Sequence, residues 1–492
     1  SIRGEAKPLT EVHDVLTVTL VPGSTYALEG GSIAPSNMST VPSTGTPILL
    51  LNQEMVDALI SEYRNVVSFV GKMYNTDILL PMFFKHFGKP EEGGLGEAYH
   101  LGVFGKTGSG KSFLARMICS IYARWQQMSI FGLDPTGEYV REIRNNGLLK
   151  KCINLVKRNV SVYGVSEISL TKTESLRRIL LVSEFLDRMG VRARENQEYA
   201  ANLIAEFFER NPSVSTPTGV IPSLSNAHQN FVFERMLDYI QQHAQRIYVT
   251  RDQQQRVLLT IQNQRQMLFN IWQPIARLFA GGRKTVEEIL KDLCINREIV
   301  FVDLSEVSAT DVYWNDRVMS IVIDDILKSL VDQAGRRWRE TGSLLNLLVM
   351  TDEAHRFIYR ETPEIDEFRI LKNTFVRSVL ETRKYGLGWM FISQSLATLD
   401  LEILRQMRIY LIGYGLSWGS ERYTLEQLVG SGSHIELYSS FKDPQTAATL
   451  GRKEYPFMAY GPISPLSISG KPVFFNELDY HSEFLKQNNF TF

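Results

Sequence analysis

Apolar residues recur along this chain in two rhythms, and the changes between them mark its elements. Near-continuous apolar runs stand at 101–104, 129–134, 299–304, 344–351, 389–394 and 409–414. Each ends in glycine or polar residues and reads as a strand buried on both faces. Between them, as at 113–122 and 318–331, apolar positions keep helical steps. Strands alternating with helices predict a mostly parallel sheet covered on both sides. Residues 152–156 and 160–165 are further strand candidates. From 170 to about 291 the pattern is mostly helical and contains a glutamine-rich segment, 241–273. Within it Val257, Ile261, Leu268 and Trp272 hold helical spacing, which predicts a helical bundle rather than a low-complexity tract.

The flanks read differently. Residues 15–21 alternate in β-branched fashion and predict a strand, 30–46 are rich in Gly, Ser, Pro and Thr and predict a loop, 47–51 predict another strand and 53–63 a short helix. The expected layout is a small β-rich, barrel-like module with its linker at 1–97, a first core segment at 98–169, an inserted helical bundle at 170–295, a second core segment at 296–430 and a C-terminal part at 431–492. The last of these ends in short strands and proline-containing turns.

Composition narrows the class without deciding it. With 44% hydrophobic and 22% charged residues the chain is an ordinary globular protein, long enough for several domains. Its formal net charge of −1 offers no global basic field, so any nucleic-acid contact must come from a local patch or from several copies acting together. Cys119, Cys152 and Cys294 lie far apart, without metal-ligand spacing, and suit a reducing cytoplasm. No apolar run is long enough to span a bilayer, and no secretory signal stands at the start.

The sharpest chemical signal is Gly105-Lys106-Thr107-Gly108-Ser109-Gly110-Lys111-Ser112, between a strand and a helical run. This is the phosphate-loop pattern in its required context. The glycines let the backbone curl round a phosphate, and the following helix turns its positive end to the anion. Lys111 is expected on the β- and γ-phosphates and the Ser112 hydroxyl on Mg²⁺, which predicts binding of a nucleoside triphosphate. A second signal is Asp352-Glu353 at the end of an apolar strand. Hydrolysis needs a carboxylate on the metal side, assigned to Asp352, and a base for the attacking water, assigned to Glu353. Asp303, ending another strand, rivals Asp352 but has no acid beside it. The long interval between Lys111 and Asp352 is accounted for by the inserted bundle.

Gln394 ends the strand after the acidic one, where an amide could touch both γ-phosphate and water. Arg377, Arg383 and Lys384 precede that strand, and Arg383 is chosen as the guanidinium that meets charge on the γ-phosphate, from a neighbouring copy. Asp352-Glu-Ala-His355 spells a helicase box, but Ser308-Ala-Thr310 and Gln333-Ala-Gly-Arg-Arg337 precede it, the reverse of the order such helicases use. No guanine-reading or transporter signature is present.

Taken together these stretches resemble the HerA ATPases of the HerA/FtsK translocase group. The resemblance rests on Val70-Gly-Lys-Met-Tyr-Asn-Thr-Asp-Ile-Leu-Leu-Pro81, on the phosphate loop from His100, on Leu133-Asp-Pro-Thr-Gly-Glu-Tyr139, on Thr351-Asp-Glu-Ala-His-Arg-Phe357, and on 381–400 with its Ser393-Gln-Ser. It implies a RecA-like core in a homo-hexamer that hydrolyses ATP with Mg²⁺ and pumps double-stranded DNA. It further implies a partner effector, such as a NurA-like nuclease or a sirtuin-like NAD hydrolase, in DNA end processing or antiviral defence. Arg383 would act in trans, Gln394 as sensor, and Asp134 in support near the nucleotide, while the C-terminal strands would brace a neighbour. Arg141, Arg144, Lys150 and Lys151 are the candidates for DNA contact. Two other readings stay open at this level: a nucleotide-dependent ring scaffold with little translocation, and a type IV secretion-like ATPase. The short N-terminal region and Ser-Leu-Ala after Gln394 depart from the family pattern.

Overall fold

The computed structural model describes residues 25–29, 32–36, 50–210, 221–248, 250–447, 453–467 and 470–490. Eleven strands form one sheet. In chain order they are β1 (Val67–Met73), β2 (Leu79–Phe83), β3 (His100–Phe104), β4 (Ser129–Asp134), β5 (Val160–Gly164), β6 (Ile299–Asp303), β7 (Leu347–Thr351), β8 (Leu387–Ser393), β9 (Met407–Gly413), β10 (Pro456–Tyr460) and β11 (Val473–Glu477). Across the sheet they run β2-β1-β11-β10-β9-β3-β8-β7-β4-β6-β5. From β9 to β5 all neighbours are parallel, and from β9 outward to β2 all are antiparallel.

The parallel strands are the apolar runs of the sequence, and β3, β4, β6, β7 and β8 are buried at every position. Only a strand covered on both faces can be apolar throughout. Alternate residues of each strand feed two separate cores. Leu101, Ile130 and Met350 pack with α1 (Lys111–Tyr122) and α2 (Glu138–Arg144). Phe131, Val349 and Trp389 pack with α3 (Asp316–Thr341), α4 (Asp366–Thr382) and the bundle. Asn315 caps α3, its side chain accepting from Val318 N at 3.0 Å, and Gly342 ends the helix in the left-handed region. Asp324, wholly buried on α3, accepts from Thr374 of α4 at 2.6 Å and pairs with Arg178 of the bundle.

The helical block lies between Thr173 and Cys294. Its glutamine-rich part is three helices, Asn230–Gln242, Arg251–Asn263 and Arg265–Ala276. Val257, Ile261, Leu268 and Trp272 are all buried in it.

Several expectations are corrected. The N-terminal module does not extend to 97, because β1 and β2 join the main sheet through β11. Nor is 431–492 a separate part, since β10 and β11 carry the same sheet on from β9. Antiparallel addition at an edge leaves no trace in local periodicity. Of the strand expected at 152–156, residues 152–155 belong instead to a helix, Leu148–Leu155, whose buried Leu149, Cys152 and Ile153 have helical spacing that so short an apolar run conceals. Within the expected loop at 30–46, Ser32–Ser36 pairs antiparallel with Thr25–Glu29. The strand expected at 15–21 lies outside the described residues. The three cysteines are free and buried.

Candidate active site

Parallel strands bring their carboxyl ends to one edge, where the loops that follow can converge on a ligand. Because β8 lies between β3 and β7, the residue that follows it sits between the phosphate loop and the acidic turn. The contacts match. The Thr107 hydroxyl donates to Gln394 Oε1 at 2.8 Å, and Gln394 Nε2 donates to Glu353 Oε1 at 2.8 Å. One amide thus links the loop that would hold phosphates to the carboxylate expected to act as base. Lys111, Ser112, Asp352, Glu353 and Gln394 line a single cleft of about 260 Å³.

Two local features fix these side chains. Gly110 sits at φ 95°, and a Cβ there would come within 2.3 Å of Glu477 Oε2, so only glycine fits this turn into α1. Glu353 sits at φ 45°, a left-handed conformation that is costly for a glutamate. That kink lets adjacent acids present both carboxylates to the cleft instead of to opposite faces of a strand.

The electrostatics follow from burial. Lys111 donates to Lys106 O at 3.0 Å. Burial lowers its affinity for a proton, and Glu353, Asp352 and Glu138 offset part of that effect. Asp352 is pushed up to about 7, first by burial and then by the charges of Asp134 and Glu353. No group of three or more His, Cys, Asp or Glu side chains able to hold a metal occurs among the described residues. Magnesium typically takes one or two protein oxygens and completes its shell with water and phosphate. Ser112 and Asp352 fit that demand, and a dication beside them would relieve the crowding of acids.

The raised Asp352 gives a prediction with a definite sign. Its folded pKa lies above the ordinary 3.8, so the cost of ionising it is absent below that value and complete above about pH 7. Asp352→Asn, free of nucleotide, should therefore melt at a higher temperature than the parent at pH 8, with the gap closing toward pH 4.5. Scanning calorimetry across that range checks it, and a constant gap would assign the effect to packing.

Asp134 and Asp303 do not line the cleft and are engaged by neighbouring backbone and hydroxyl groups. Asp134 accepts from Val140 N at 2.9 Å, and from Glu138 N and the Thr136 hydroxyl at 3.2 Å each, holding the start of α2. What α2 turns toward the cleft is Glu138, which accepts from Ser112 Oγ at 3.4 Å and pairs with Arg116 at 2.5 Å. Asp303 accepts from Ser305 N at 3.0 Å and Ser305 Oγ at 2.6 Å, away from the cleft. Of the basic candidates, Arg144 pairs with Glu167 at 3.1 Å and Arg141 donates to Gly137 O at 3.0 Å. Lys150 and Lys151 make no ion pair among the described residues.

Arg383 is not in this cleft. It follows α4 and precedes β8, at the opposite edge of the sheet, where it donates to Glu97 Oε1 at 2.6 Å beside Arg408 at 3.0 Å. Its hydrogen bond holds Glu97 below the usual carboxylate range.

Glu421 is a residue that sequence reasoning missed. From the helix Gly419–Val429 its carboxylate accepts from Ser395 Oγ, from Leu396 N at 2.8 Å and from Ala397 N at 3.0 Å. Arg360 secures the same loop by donating to Ala397 O at 2.9 Å. Gln394 is therefore held from behind. Losing those charge-assisted bonds should let the amide drift, so Glu421→Ala is expected to slow turnover about 10-fold or more with ATP affinity kept within about twofold. Glu421→Gln, which keeps an acceptor, should recover part of the rate. Equal losses in affinity and turnover would make the residue merely structural.

Residues 98–326 match the family described as the central domain of the helicase HerA. Over this segment the chain is similar to HerA. The segment holds the phosphate loop, Asp134 and the bundle, and the acidic turn and Gln394 follow it. With its phosphate loop and paired acids, this chain is a P-loop ATPase. Solved structures to which the chain is similar include VirB4 of Thermoanaerobacter pseudethanolicus, at 13% identity and TM-score 0.43 over 84% of this chain and 96% of that one. The bacterial conjugative coupling protein TrwBΔN70 is 16% identical with TM-score 0.37, over 63% and 67%. The genome packaging NTPase B204 from Sulfolobus turreted icosahedral virus 2, in complex with AMPPCP, is 9% identical with TM-score 0.31, over 75% and 98%. Comparison with curated proteins gives no match. No helix among the described residues is long and apolar enough to cross a membrane.

Proposed function

We propose that this ATPase works as a hexameric ring that translocates double-stranded DNA and delivers it to a partner effector enzyme. The observation that carries the reading is the position of Arg383. It lies at the sheet edge opposite its own phosphate loop, half exposed and bonded to a half-exposed Glu97. A strand the length of β8 spans roughly 20 Å, so Arg383 cannot serve its own cleft. A guanidinium that leaves one copy's cleft incomplete and is presented outward suits a neighbour's. In the cleft, Lys111 and Ser112 would hold the phosphates, Glu353 would take a proton from the attacking water, and Gln394 would report on the γ-phosphate through Thr107. Magnesium, held by Ser112 and Asp352, would neutralise charge on the phosphates.

A net charge of −1 leaves DNA contact to a local patch multiplied round the ring. Arg141, Arg144, Lys150 and Lys151 remain its candidates, with the two lysines the more available. The test is ATP hydrolysis with and without duplex DNA at two salt concentrations, beside a mass measurement of the assembly with nucleotide. Duplex-stimulated, salt-sensitive turnover by a hexamer is expected. Turnover indifferent to DNA would favour a scaffold ring, and full-rate turnover by a monomer would remove the ring altogether.

A further inference from the structure

Strand β9 runs parallel beside β3, so the turn that leaves β9 lies against the phosphate loop that leaves β3. Two contacts join turn and loop. Lys106 N donates to Tyr414 O at 2.9 Å, and the Lys106 ammonium stands 5.2 Å from the centre of the Trp418 ring. The Lys106 stem passes over Gly415, which sits at φ 104° and where a Cβ would come within 2.7 Å of Lys106 Cγ. Only glycine leaves room for that path. The Lys106 side chain is thus turned away from the phosphates and takes no part in lining the cleft. Trp418 is 70% exposed, so burial gives little reason for an indole at this place. A cation held over its face gives one.

Trp418 is also the residue before the helix Gly419–Val429, whose Glu421 fastens the loop at 395–397. That loop follows Gln394, Gln394 accepts from Thr107, and Thr107 follows Lys106. The contacts therefore close into a circuit that begins and ends on the phosphate loop. One side of it is the Thr107–Gln394 hydrogen bond, and the other is the Lys106–Trp418 contact. A single hydrogen bond lets two loops hinge about it, whereas two separated links fix both distance and angle. We infer that Lys106 and Trp418 are positioning residues for hydrolysis: their contact ties the phosphate loop to the helix that carries Glu421, and so sets where the Gln394 amide stands between Thr107 and Glu353. Neither side chain lines the cleft, and both act through the amide. The inference rests on reading Gln394 as the group that serves the γ-phosphate and the attacking water.

The experiment measures ATP turnover and, by calorimetric titration in magnesium buffer, ATP affinity. It compares the parent with Trp418→Ala, Trp418→Phe, Lys106→Met and the pair Trp418→Ala with Lys106→Met. A cation held on an aromatic face predicts turnover about 2- to 30-fold lower in Trp418→Ala, with ATP affinity within about twofold, which also shows that the variant is folded. Lys106→Met keeps the stem, removes the charge and should lose about as much. The paired variant should lose no more than either change alone, because the two side chains make one link. Trp418→Phe keeps a ring face and should recover part of the rate. Parent-rate turnover in either single variant, losses that multiply in the pair, a phenylalanine no better than alanine, or affinity that falls in step with turnover would each overturn the link and leave the cleft as read. Gln394→Ala tests the reading beneath it: parent-rate turnover there would leave the link nothing to position.

Discussion

Glu353→Gln should bind ATP as tightly as the parent and hydrolyse it about 10²- to 10⁴-fold more slowly, the range that a positioned general base contributes. The expectation follows from how the side chain is held. Its backbone stands at φ 45°, a conformation that persists in a glutamate only where surrounding structure enforces it. Its Oε1 is fixed by Gln394 at 2.8 Å, while Oε2 has no hydrogen-bond partner among the described residues, although His355 Nδ1 is 3.2 Å away. One oxygen is thus anchored and the other left to a water. Glutamine preserves the shape and can still accept from Gln394, so binding survives, but an amide does not take the proton. Lys111→Ala supplies the contrast, because it removes the cation that meets the phosphates and should abolish binding itself. Calorimetric titration with ATP, set beside phosphate release, distinguishes the two. Normal turnover by Glu353→Gln would move the base elsewhere, with Glu138 the next carboxylate to examine.

The parts of this site that the sequence displayed are those carried by contiguous residues. The phosphate loop is one string whose spacing is its function, and Asp352-Glu353 ends a strand apolar enough to be recognised alone. Gln394 could be assigned from its place at the end of the next strand. Glu421 and Glu138 were not legible, because each acts on a segment distant in the chain and has no flanking pattern to announce it. Glu138 was within a quoted stretch, and the acid four residues before it, Asp134, drew attention as the strand-end residue, while its carboxylate holds the start of α2. The same reason explains the flanks. Whether β1, β2, β10 and β11 form modules of their own or extend the core depends on edge pairing, which local alternation does not encode. For the helix at Leu148–Leu155, a short apolar run left helix and strand indistinguishable until burial separated them.

Arg383→Ala is expected to leave ATP affinity unchanged and to reduce turnover about 10³-fold, the lower range for a guanidinium supplied to a phosphoryl-transfer site from another subunit. Arg383 has two ways of mattering, and they differ in their consequences. As the partner of Glu97 at 2.6 Å, it ties the start of β3 to the turn before β8. An exposed pair of that kind stabilises by no more than about 1 kcal/mol, and its loss would be reproduced by Glu97→Ala. As a residue acting across a subunit boundary, it would be irreplaceable by any change at Glu97, and Arg383→Lys would rescue little, because one ammonium does not match two phosphate oxygens. The deciding experiment mixes two inactive chains. An Arg383→Ala subunit keeps an intact cleft, and a Glu353→Gln subunit keeps an intact arginine. If the arginine serves a neighbour, mixed rings contain some boundaries at which both are sound, and hydrolysis should return to a measurable fraction of the parent rate on mixing. If it serves its own chain, every cleft in the mixture stays defective and no activity returns.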